Sequence, residues 1–199
     1  KQPVNRPLEL PIEKIMSFTR RALVLPLFPI NYFVRGTNRT NSISKLYEFF
    51  SDKNIDNQST VLSNFFLKIK LLDKIRIYSK KNNLKVNRLA LECILWGFGI
   101  LDIENKDYFN DDSLIQKASL YIDKNSDYFT LVDYNFSSEV MARYLSTAEF
   151  FTKLFQVSFD PYITADSTSK ELIKELNKPV ASAVRLSELE SLRLSKPEP

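Results

Sequence analysis

Only three glycines, Gly36, Gly97 and Gly99, occur in 199 residues. Glycine is the residue that adopts left-handed backbone at no steric cost, so hairpin turns and phosphate-cradling loops depend on it. A chain this poor in glycine is badly equipped for hairpin-rich sheets. Its apolar residues, 44% of the total, suffice for one substantial core or two small ones. The expected fold is therefore mainly α: an irregular bundle of about five to seven helices, as the 3.6-residue periodicity counts them.

Proline sets the ends of that bundle. Five of the nine prolines (Pro3, Pro7, Pro11, Pro26 and Pro29) lie in the first 29 residues, where each removes a backbone donor and fixes φ. Residues 1–41 read as an extended, proline-rich N-terminal arm, within which Pro11 opens a short helix running to about Val24. Residues 42–161 read as the helical core domain, and residues 162–199 as a helical, amphipathic C-terminal arm. In that last arm Thr168-Ser-Lys-Glu171 and Ser187-Glu-Leu-Glu190 both have the spacing of a capping box.

Within the core, Ser42 is expected to start one helix and Ser59 or Thr60 a longer one, on which Leu62, Phe65, Ile69 and Leu72 share a side. Asn82-Asn83 reads as a break. The next helix, Val86 to Leu101, is apolar almost all round and belongs at the centre of a domain. Gly97 and Gly99 within it lack the third glycine of a dinucleotide loop, and mark where a helix packs closely on a neighbour. Further helices are expected from Asp112 or Ser113 and from Ser138 to about Val157, with an extended segment at Phe129 to Phe136. The aromatic pairs Phe65-Phe66, Tyr128-Phe129 and Phe150-Phe151 are read as core.

Several chemistries are excluded by composition. There is no histidine, which removes the Ser-His and Cys-His pairs and every His-containing metal site. The single Cys93 cannot form an internal disulfide, and the expected setting is intracellular, a reducing compartment or organelle interior. A first residue of Lys1 fits a product whose leader has been removed, as in mitochondrial import. Asp123-Lys-Asn125-Ser-Asp127 starts like a calcium loop, but Tyr128 stands where glycine is required and Tyr134 where glutamate is. No catalytic, cofactor-binding or metal-ligating residue is nominated.

Charge is unevenly spread. Residues 1–100 carry 17 Lys and Arg against 7 Asp and Glu, whereas residues 101–199 carry 11 against 17. Such asymmetry points to an anionic partner or to two halves that pair with each other. The densest basic run is Lys68, Lys70, Lys74, Arg76, Lys80, Lys81, Lys85 and Arg88. On a helix Lys70, Lys74 and Lys81 fall within about 40° of one another, an array suited to phosphates, although a solvated helix back has the same composition.

The apolar stretch from Ala22 to Val34 is too short and too proline-broken to span a membrane. It is read as a hydrophobic peptide packed on another protein or on the chain's own core, with peripheral membrane contact through 22–34 as the lesser alternative. The resulting expectation is a non-catalytic helical subunit of a larger assembly. Leu23, Leu25, Leu27, Phe28, Tyr32 and Phe33 would anchor the first arm on protein partners, and Leu172, Ile173, Leu176 and Leu189 the second. The rival is a nucleic-acid-associated protein using Lys68, Lys70, Lys74, Arg76, Lys81, Lys85 and Arg88 on a phosphate backbone.

Overall fold

A computed structural model gives the fold and describes residues 12–31, 43, 44, 47, 58–129 and 137–164. The chain divides into two compact units, residues 1–165 and 166–199, and everything described lies in the first. The described residues form α1 (Ile12–Val24), a 3-10 turn (Leu25–Leu27), α2 (Gln58–Lys81), α3 (Arg88–Ile103), α4 (Asp112–Lys124), a second 3-10 turn (Ser126–Phe129), α5 (Ser137–Phe155) and the short α6 (Asp160–Ile163). The fold is mainly α, with no strand among these residues. Phe129, expected to begin an extended segment, instead closes the second 3-10 turn.

Asparagine does much of the work that glycine usually does. Asn83 and Asn105 sit in left-handed backbone at φ 54° and 52°, just past α2 and α3. There the Leu84 N–H reaches the Ser79 carbonyl and the Lys106 N–H the Leu101 carbonyl, both at 2.9 Å, the hydrogen bonds of a Schellman end. Asparagine tolerates this conformation better than other non-glycine residues. At the opposite ends, the Asn87 side chain accepts from the Ala90 N–H at 3.0 Å and Asp111 accepts from the Ser113 N–H at 2.9 Å, so α3 and α4 begin on conventional caps.

Helices α2 to α5 alternate in direction. Lys68, near the middle of α2, meets Asp102 in the last turn of α3. The Ser119 hydroxyl of α4 donates to the Ile75 carbonyl of α2 at 3.3 Å, and the Lys85 N–H reaches Asp123 at 2.8 Å, which sets α4 parallel to α2. At the start of α5, Arg143 donates to the Tyr128 carbonyl at 2.7 Å, and further along Phe151 packs edge-on against Phe98 of α3. Helix α3 is the centre: Cys93 to Leu101 are all buried, and Trp96 touches Tyr144 and Phe159 edge-on at 5.1 and 5.6 Å between centroids.

The two glycines of α3 permit close approach. A β-carbon on Gly97 would collide with the Phe151 ring, and one on Gly99 with the Pro26 ring. Glycine inside a helix costs about 1 kcal/mol relative to alanine, and here that cost is offset by seating α5 and the turn after α1 directly against α3. As a result Val24, Leu25, Phe28 and Ile30 are buried in the chain's own core. The described part of the expected N-terminal arm is thus a helix and turn held against α3, because the glycine opposite Pro26 leaves room for it.

Candidate functional site

The basic run divides once the fold is known. Lys68 is buried and pairs with Asp102 at 2.6 Å, and Tyr108 donates to the other Asp102 oxygen, also at 2.6 Å. Burial, and then the hydrogen bond and charge of Asp102, push the Tyr108 hydroxyl well above its ordinary range. This trio ties α2 to the end of α3 and to the following loop, and it engages the buried Lys68 ammonium with a partly buried carboxylate.

Other members of the run are partly engaged. Arg76 clasps Asp73 with Nε at 3.0 Å and Nη2 at 2.8 Å from one oxygen. Arg88 binds Glu92 at 2.8 Å, which Arg21 of α1 also approaches at 3.4 Å. Lys85 reaches the Ser126 hydroxyl at 3.4 Å. Lys70, Lys74, Lys80 and Lys81 are exposed and make no ion pair among the described residues.

The same helix exposes apolar side chains. Phe66 is 61% exposed and Ile77 54%, while Leu67 is 43% exposed. At about 100° per residue Phe66 and Ile77 lie within about 20° of each other, opposite the buried Leu71, Leu72 and Ile75. They form the crest of α2, the line farthest from the core. Lys70, Lys81 and Lys74 follow on one flank, within about 80° of Phe66; on the other flank, Lys80 and Arg76 lie within about the same angle. Asp73 sits near the crest, held by Arg76. Reading Phe65-Phe66 and Tyr128-Phe129 as core pairs is thus corrected: Phe65 and Phe129 are buried while Phe66 and Tyr128 are exposed, because adjacent residues on a helix or 3-10 turn point in different directions. The sequence reading missed this crest, although the angular projection that grouped the lysines carries the signal for it.

The proposed anchors of the first arm fare differently. Leu25 and Phe28 are buried at 3% and 1% exposure and Leu23 is half-buried, which leaves Leu27, 39% exposed, as the one of this set at the surface among the described residues. Leu25 and Phe28 are therefore packed inside the chain's own fold. Tyr32, Phe33, Leu172, Ile173, Leu176 and Leu189 lie outside the described residues.

The acidic side chains are used locally. Asp102 and Asp111 serve the ion pair and the cap already given, Asp107 accepts from the Phe109 N–H and Asn110, and Tyr162 donates to Glu104. Among the described residues no group of three or more carboxylates or thiols is arranged to hold a metal ion. Cys93 is buried, and desolvation, with the charge of Glu92 adding to it, pushes its thiol up to about 12, far from a reactive thiolate. No described helix is long and apolar enough to cross a membrane. Comparison with known proteins finds no matching family model, no matching curated protein and no matching solved structure.

Proposed function

We propose that the chain is a non-catalytic helical interaction subunit, which acts in a larger assembly by presenting a contact surface. The observation that carries this reading is the outer face of α2, where Phe66 and Ile77 stand more than half exposed between basic flanks. Large apolar side chains exposed in a group mark contact surfaces, whereas single ones need no explanation. The mixture matches the anatomy of such surfaces, with apolar anchors inside a charged rim. Its unpaired Cys93 fits a reducing compartment.

A second reading, binding to a nucleic-acid backbone, is favoured by one observation: Lys70, Lys74 and Lys81 are exposed along one side of a helix. The two are separated by purifying tagged full-length chain from its native source, with and without nuclease, as wild type and as Phe66→Ser/Ile77→Ser. A nuclease-resistant complex that the double variant loses is the expected result. A chain that elutes alone in every sample sinks the subunit reading, and partners lost on nuclease treatment move the second reading to first place.

A further inference from the structure

The crest of α2 has a geometry that says what kind of surface it meets. Phe66 and Ile77 are eleven residues apart, about 16 Å along a helix. Both project from the line farthest from the core, so a flat object touches them together. Basic side chains occur on both sides of that line: Lys70, Lys74 and Lys81 on one, Lys80 on the other. Asp73, the acid nearest the crest, is neutralised locally by Arg76.

We infer that the outer face of α2 docks on an anionic phospholipid layer, with Phe66 and Ile77 at the acyl boundary and the flanking lysines on the headgroup phosphates. This rests on the reading of that face as a contact surface and names what it contacts: the assembly is one held at a membrane, so the complex that Phe66→Ser/Ile77→Ser loses is lost because the chain leaves the lipid. Lysine suits such a place because its aliphatic stem lies along apolar material while the ammonium reaches outward to the phosphates. A negative plane satisfies both flanks at once, whereas the phosphate backbone of a nucleic acid would use the lysines and gain nothing from Ile77. A second copy is disfavoured by charge, because antiparallel pairing of two such faces sets Lys70 opposite Lys74. The neighbouring half-exposed Leu67 adds apolar area on the lysine-rich flank.

The test is co-flotation of the full chain with two vesicle preparations: pure phosphatidylcholine, and phosphatidylcholine with about one-third phosphatidylserine, a composition that makes the surface negative. Binding to the anionic vesicles alone, falling as salt is raised, is the expected result. Each lysine near such a surface is worth roughly fivefold in partitioning, so Lys70→Glu/Lys74→Glu/Lys81→Glu is expected to weaken binding by a hundredfold or more. Phe66→Ser/Ile77→Ser is expected to weaken it by about tenfold, and Leu145→Ser, which removes an exposed apolar group on α5, to leave it unchanged. Emission from the single, buried Trp96 and helical circular dichroism check that each variant is folded.

Wild-type chain that ignores anionic vesicles overturns the inference, as does binding that is indifferent to Phe66→Ser/Ile77→Ser. Binding to a short oligouridylate, without binding to vesicles, assigns the lysines to nucleic acid and overturns it equally. A photoreactive phenylalanine analogue at position 66 separates the two levels of the argument. If it crosslinks a protein in native extract in a lysine-dependent way while vesicles are ignored, the lipid assignment falls and the contact-surface reading stands. If it crosslinks nothing and vesicles and oligouridylate are both ignored, both fall.

Discussion

Helices α2 and α3 lie against each other and treat their side chains in opposite ways. In α3, nine consecutive residues from Cys93 to Leu101 are buried whatever direction they point. In α2, Phe65 is buried and Phe66 exposed, while Lys68 is buried only two residues further on. An apolar helix has one stable position, the centre, with neighbours on every side. A mixed helix is settled by what its neighbours offer: Asp102 and Tyr108 give Lys68 a charge partner and make its burial tolerable, whereas Phe66 stays 61% exposed.

The largest effect expected is at the contact between α3 and α5. Phe151→Ala removes a ring with 0% exposure that packs on Phe98 and Gly97. It should lower unfolding free energy by about 3–5 kcal/mol in urea titration, and a loss under about 1 kcal/mol would show that α3 is not the centre of this core. Next comes the ion pair linking the two helices. Asp102→Ala leaves Lys68 buried without its partner, at an expected cost of about 3 kcal/mol, while Lys68→Met combined with Asp102→Ala should recover a good part of it. Equal losses in the single and double variants would mean that the pair contributes no coupling between α2 and α3.

Alkaline pH probes the same core. The folded state holds the Cys93 proton up to about pH 12, whereas an exposed thiol releases it near 9.0. Tyr108 is raised in the same direction by burial and by Asp102. Stability from the thiol is therefore fully present below pH 9.0, its ordinary value, and declines above it, with Tyr108 adding to the decline above its own ordinary value of 10.0, because the unfolded chain then binds fewer protons than the folded one. Thermal melts should show a falling midpoint across this window, and folded Cys93 should resist alkylation that proceeds readily in denaturant. Rapid alkylation of the native chain would contradict the burial.

Smaller effects sharpen the contrast at the helix ends and on the crest. Asn87→Ala removes the cap of α3 and a hydrogen bond to the Phe129 carbonyl, and should cost about 1 kcal/mol. Phe66→Ser should change stability by less than about 0.5 kcal/mol, because the ring is already mostly in water. A cost comparable to that of Phe151→Ala would place Phe66 inside the fold and dissolve the distinction between the two helices.

Much of this architecture was legible in the residues alone. Pro11 and Asp112 signal helices that begin at Ile12 and Asp112, Asn82-Asn83 signals the break after α2, and the run around Trp96 announces a central helix. These are local effects of capping, proline geometry and hydrophobic periodicity, which operate within a few residues of chain. The exposed outer face of α2 was only half legible, since grouping the lysines revealed one flank and left Phe66 assigned to the core.

What the sequence by itself determined was the helical class, the places where helices start and stop, and the absence of histidine chemistry. Outside α3, tertiary structure decided which apolar and charged residues go inside. Leu25 and Phe28 became core because Gly99 admits Pro26, and Lys68 became core because Asp102 and Tyr108 converge on it from a helix end and a loop more than thirty residues away. Periodicity tells which side chains share a face, but burial depends on what that face meets, and that partner is set by contacts distant in the chain.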